Sequence, residues 1–300
     1  MKEYSLSQQF AIVGLDGLVS NHPSIAKKAA VRGICAAKVL EEHFLENENV
    51  DLSEMRQVLQ EGVHRIKSYG KKKLEETERE MAALLEADGG VEIVPDLLGC
   101  DMNYYTAGIS ITAYRSNREQ YLGITERVKA EILEEGEVTE ECICLLWLFR
   151  ETGCMHDIFS VKEQEFIQQR VADIAAAKED IRIIWEEEFH TKLENTVVNF
   201  LKAKHNLFKN PYMQGVNLVF PFLDRRQAIF VDFVIFGTSV QDRRFAMMEF
   251  LQEKGHYVEE VKNGTETLLR IDNALYRIWP KVKRAYKVPI QGADLLPVYR

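Results

Sequence analysis

Two Glu-x-x-His pairs that fall on predicted helices, Glu61 with His64 and Glu187 with His190, come nearest in residue type and spacing to a chemical site. Residues three apart on a helix share a face, and in a four-helix bundle two such pairs plus two more glutamates hold a di-metal carboxylate centre. A di-metal enzyme is therefore one reading. Against it, a chain with 47 acids and seven histidines makes about one such pair by chance. Glu186, Glu187 and Glu188 together also suit a solvated face better than a metal cavity. The solvated reading is preferred, and no metal, cofactor or enzymatic activity is expected. His156-Asp157 is a candidate acid/base couple, but adjacent helical residues point apart, so a turn is expected there.

No phosphate loop, Gly-x-Gly-x-x-Gly, Gly-x-Ser-x-Gly or Cys-x-x-Cys occurs. The five cysteines, Cys35, Cys100, Cys142, Cys144 and Cys154, are odd in number and mostly lie in apolar helical patterns, which suits reduced structural thiols. Lys71-Lys72-Lys73, followed by Glu75, Glu76, Glu78 and Glu80, reads as a solvated helix laced by charges three and four apart.

These residues must be positioned by the surrounding elements. The most apolar run is Ala228 to Phe236, entered through Asp224-Arg225-Arg226 and left through Gly237. It is apolar on nearly every side, so it is expected to be a central buried helix, with Asp232 reaching solvent. Helices are predicted near 7–15, 25–45, from 51, through the Lys71 segment, over 124–135 closed by Gly136, and from Thr139 to 152. Further helices are predicted over 161–188 (one long or two), 192–207, 241–255 and 265–286. Small residues Ala29, Ala30, Gly33, Ala36 and Ala37 would let another helix approach the second one closely. Tyr104 to Tyr114 is short strand or loop, and Tyr212 to Phe222 a short strand. The expected fold is all-α: one globular multi-helix domain spanning 1–300 around a central apolar helix, with a small β-hairpin.

The net charge of -9 and pI near 5.4 oppose broad nucleic-acid binding. Cations prevail only locally: from Arg270 onward there are seven Lys/Arg against two acids. No signal peptide and no spanning segment is expected, so the expected location is cytoplasmic.

Three stretches carry a family resemblance. Leu6-Ser-Gln-Gln-Phe-Ala-Ile-Val-Gly-Leu-Asp16 with Val31-Arg32-Gly33 resembles the opening of the Golgi phosphoprotein 3 family. Leu133-Glu-Glu-Gly136-Glu-Val-Thr139 and Leu223-Asp224-Arg225-Arg226 are similar to later segments of that family in the same order, with extra residues here near 66–118 and 175–212. The resemblance implies an all-α fold with a small hairpin and a non-enzymatic peripheral membrane protein that binds a phosphoinositide headgroup. The family's headgroup pocket uses a Trp before the second helix, an Arg within it and two further Arg. Here Arg32 matches the second-helix Arg, the Trp position falls near His22-Pro23, and Leu122 and Thr125 occupy the other two, with Arg115 and Arg118 nearby as substitutes.

The expected ligand is accordingly an anionic lipid headgroup or a membrane-protein tail, bound by Arg32, Arg115 and Arg118 and by a surface patch of Lys281, Lys283, Arg284 and Lys287. The competing account of that patch is a helix end dressed with cations to suit its dipole. The alternative function is a protein-interaction scaffold without lipid affinity. Homo-oligomerisation is compatible with either.

Overall fold

A computed structural model describes residues 3–45, 51–108, 110–189, 225–226, 228–232, 240–262, 267–285 and 288–298. The expected helix over 192–207 and strand over 212–222 lie outside the described residues.

The helical part is built around α1 (Leu6–Leu15) and α7 (Glu140–Thr152), both apolar almost all round and buried along nearly their whole length. Ser5 and Gln8 close a capping box on α1, which satisfies orphan amides at its start. Helix α2 (Ile25–Leu40), capped by Ser24, crosses α1 where the ring of Phe10 fills the space a side chain on Gly33 would need: a Cβ there would lie 2.6 Å from it. The small residues of α2 thus admit a neighbouring helix, as the sequence suggested. Around this core lie α3 (Leu52–Ser68), α4 (Lys71–Ala87), α6 (Arg118–Leu133), the short α8 (Met155–Ile158), α9 (Val161–Ala177) and α10 (Glu179–Glu186). The 161–188 segment is therefore two helices. Gly136, expected as a left-handed cap, has φ 150°; the left-handed cap is Gly153, at φ 78° after α7.

Among the described residues, seven strands in two antiparallel sheets overturn the all-α expectation. Strands β1 (Val91–Pro95) and β2 (Thr112–Ser116) pair from Val91↔Ser116 to Pro95↔Thr112, with α5 (Met102–Ala107) in the connection. The second sheet has the order β3-β7-β6-β5-β4, from β3 (Ile229–Asp232), β4 (Val258–Lys262), β5 (Thr267–Ile271), β6 (Ala274–Ala285) and β7 (Val288–Pro297). Helix α11 (Val240–Glu253) places Met247 and Leu251 in one core with Ile229, Val231, Leu269, Ile271, Ala293 and Leu295.

Two mispredictions account for β3, β5 and β6, while β4 and β7 lie in stretches to which no element was assigned. Of the apolar run taken as a central helix, Ile229–Asp232 enters the sheet as β3, and 233–236 lie outside the described residues. A short apolar run does not distinguish strand from helix by periodicity, and its β-branched and aromatic content favours a strand. Asp232 is half-buried at the end of that strand, opposite Gly292. The predicted helix over 265–286 is the β5–β6 hairpin, joined by Asp272-Asn273 between the paired Ile271 and Ala274. Asp272 adopts φ 53°, a conformation that Asp and Asn tolerate better than most residues. Leu269 and Ile271, then Tyr276 and Ile278, alternate inward at a strand's period of two.

Candidate functional site

Three of the four C-terminal cations predicted as a patch fall on a strand rather than a helix end. Lys281, Lys283 and Arg284 belong to β6, and Lys287 lies outside the described residues. The helix-dipole account of these charges lapses with the helix. The last four pairs of β6 with β7, Val282↔Gln291 to Ala285↔Val288, have no third strand beside them among the described residues. Trp279 and Val282 are 53% and 58% exposed on this arm. Lys281 reaches Asp294 at 2.5 Å, and the Lys283 ammonium sits 4.2 Å above the Phe230 ring.

The three predicted headgroup arginines do not converge. Arg32 is buried and donates to the carbonyls of Ile66 and, at 3.2 Å, Tyr69, so it closes the C-terminal end of α3. Arg115 projects from β2 to Glu92 at 2.8 Å, Asp272 at 3.2 Å and the Gly255 carbonyl at 2.7 Å, and lies against the Tyr257 ring. Arg118, the first residue of α6, bonds Glu259 at 2.5 Å beside a shallow depression that also holds Leu122 and Thr125. Arg115 and Arg118 thereby fasten the helical part to the sheet.

The cluster that sequence reading missed surrounds Asp16. One of its oxygens accepts from the Ser116 amide at 3.0 Å and from Asn273 Nδ2 at 2.9 Å, and the other from Arg226 Nη2 at 2.8 Å. Arg225 Nε donates to Asp157 Oδ2 at 3.1 Å, which lies 3.9 Å from Arg226 Nε. All four charged groups are buried. Burial works against the charge on Arg226, but Asp16 and Asp157 outweigh it and keep the guanidinium protonated far above its ordinary range. Gly17, at φ 67°, makes room: a Cβ there would fall 1.8 Å from Arg226 Nη1. The sequence signals were the Leu-Asp turn and the Asp-Arg-Arg segment, both quoted for their resemblance and neither suspected of meeting the other. The turn expected at His156-Asp157 is the short helix α8, from which Asp157 pairs with Arg225.

A second network lies beside it. Buried His256 directs Nδ1 to Asp272 Oδ2 at 2.9 Å, and Asp272 Oδ1 accepts from the Tyr257 amide at 3.1 Å. Burial pushes the Asp272 carboxyl up, but the hydrogen bond and charge of His256, the Tyr257 amide and Arg115 outweigh it and leave it below the usual carboxylate range. Asp96 caps the short 3-10 turn at Leu97–Cys100 through the Leu98 amide at 2.7 Å. Its burial raises its pKa despite that bond and the charges of His256 and Arg226.

The Glu-x-x-His pairs form no centre that the structure displays. Glu61 and His64 are exposed on α3, Glu61 accepting from Gln57, while Glu187 accepts from Gln60 at 3.2 Å and His190 lies outside the described residues. Among the described residues no group of three or more His, Cys, Asp or Glu is placed to hold a metal ion. All five cysteines are free and buried, and burial pushes the thiols of Cys100 and Cys142 up to about 12, which suits structural rather than reactive roles. Among the described residues no helix is long and apolar enough to cross a membrane.

No family model matches the chain, and no curated protein or solved structure is significantly similar to it. The Golgi phosphoprotein 3 resemblance rests on the residues quoted for it.

Proposed function

We propose that this chain is a non-enzymatic peripheral membrane protein that associates with anionic lipid surfaces through the β6–β7 arm. The observation carrying this reading is the exposure of Trp279 and Val282 on a strand that also bears Lys281, Lys283 and Arg284. An indole has an apolar body and a polar tip suited to the headgroup boundary. Lysines beside it add about 1 kcal/mol each near an anionic surface, screened by salt. An otherwise acidic surface, at net charge -9, orients the molecule by repelling the membrane elsewhere. The resemblance to a family of peripheral membrane proteins supports the same class of partner, with a membrane-protein tail as the other member of that class. Arg32 leaves the proposed site because its guanidinium serves the α3 carbonyls.

Flotation of the full chain with phosphatidylserine-containing and pure phosphatidylcholine vesicles tests this reading. Binding should require the anionic lipid, weaken with salt, and fall in both Trp279→Ala and the Lys281→Glu/Lys283→Glu double variant. Absence of binding at low salt would defeat the membrane reading and leave the protein-scaffold role as the one to pursue.

A further inference from the structure

Between the α1–α2 turn, the β1–β2 pair and the five-stranded sheet lies a cavity of about 420 Å³. Its walls carry Leu18, Val94, Leu98, Ile111, Ile229 and Ile271, and at one side the Arg225/Arg226 pair with Asp96. We propose that this cavity binds a single-chain amphiphile with a carboxylate head, the head seated at the arginine pair and the chain along the aliphatic wall.

Three observations define the chemistry. First, Arg225 Nη1 and Arg226 Nε are buried without a hydrogen-bond acceptor among the described residues, the Asp157 carboxylate lying 3.9 Å from Arg226 Nε. Buried donors left unmade are costly, and an oxygen acceptor relieves that cost. Second, Asp16 and Asp157 already balance the two guanidinium charges and Asp272 also lines the cavity, so little positive charge is left over, which opposes the two charges of a phosphate monoester more than the single charge of a carboxylate. Asp96, raised by burial, lies close enough to feel Arg226 and in its protonated form would donate to a carboxylate oxygen. Third, most of the wall surface is apolar, which accommodates an alkyl chain and offers less to a sugar or a free phosphate. The site is separate from the β6–β7 arm and stands or falls independently of it.

Calorimetric titration of the full chain with sodium decanoate and with decanol, both below their aggregation limits, tests the proposal. Decanoate should bind saturably at one site per chain, and decanol at least tenfold more weakly. Ile111→Trp, which fills the wall, and Ser110→Trp, at the exposed rim, are checked for folding by their unchanged cooperative thermal unfolding. At least one of them should lower decanoate affinity tenfold or more. The proposal is overturned by the absence of saturable decanoate binding, by decanol binding equally well, by several equivalents bound per chain, or by full affinity in both tryptophan variants.

Discussion

Arg226 Nη2 lies 2.8 Å from Asp16 Oδ2, a buried ion pair between residues 210 positions apart in the chain. Asp16 ends α1, accepts from β2 through the Ser116 amide and from the β5–β6 turn through Asn273, so one carboxylate joins the helical core to both sheets. Removing one partner of such a pair leaves the other charge buried and uncompensated. Asp16→Ala and Arg226→Ala should each lower unfolding free energy by about 3–5 kcal/mol, read by urea denaturation. A loss below about 1 kcal/mol, the range of a surface pair, would show that the pair is not buried in solution.

Gly17 makes the same contact possible from the backbone side. Gly17→Ala combines a left-handed φ of 67° with a Cβ 1.8 Å from Arg226 Nη1. The conformation alone costs about 1–2 kcal/mol, and displacement of the guanidinium adds to it. Gly89→Ala is the control, because its φ is 68° but nothing lies within 4 Å of the added Cβ. The Gly17 variant should be clearly the less stable of the two, and equal stabilities would remove Arg226 from that contact.

Arg32 separates a structural role from a headgroup role. Arg32→Ala should cost about 1.5–3 kcal/mol of stability, the range for hydrogen bonds from a charged group, while vesicle binding at a temperature where the variant is folded stays at the wild-type level. Lost vesicle binding with intact stability would restore the arginine to a lipid site.

On the arm, Lys281 is paired with Asp294 at 2.5 Å, so part of its charge is unavailable to a membrane. Asp294→Asn frees it and should strengthen binding to anionic vesicles, by up to about fivefold for 1 kcal/mol. Lys283→Ala should weaken binding by a similar factor. Unchanged partitioning in both would move the contact away from this hairpin.

The pH dependence of stability divides between two aspartates. Asp272 is held below its unfolded value, with burial opposed and outweighed by His256, Tyr257 and Arg115. Its contribution is present above the unfolded carboxylate pKa and is lost as pH falls through the lower folded one. Asp96 is raised by burial, so the folded state favours its proton. Its contribution is complete below the unfolded pKa and is lost as pH rises through the folded one. Asp96→Asn keeps a capping oxygen and removes the titration. Its stability relative to wild type should therefore improve as pH rises from about 3, below the usual carboxylate range, and then level off. A pH-independent difference would show that Asp96 does not titrate abnormally.

The amino-acid sequence by itself determined the helical core. Gly33 among small residues and the apolar run Ile143 to Phe149 act through neighbours a few positions away or through a continuous buried face, and both signals are local. The charge pattern likewise located the C-terminal cations, which the sheet then gathered onto a hairpin. Ile229 to Asp232 was misread because strand pairing draws its hydrogen bonds from distant partners: β3 pairs with β7 some sixty residues later. Thr267 to Ala285 was misread although its signal is local, a period of two on either side of the Asp272-Asn273 turn. The tertiary structure alone decided that Arg32 and Arg115 serve as fasteners and that Asp16, Asp157, Arg225 and Arg226 meet. Helix period and turn chemistry reach a few residues along the chain, whereas burial of a charge depends on every segment that packs around it.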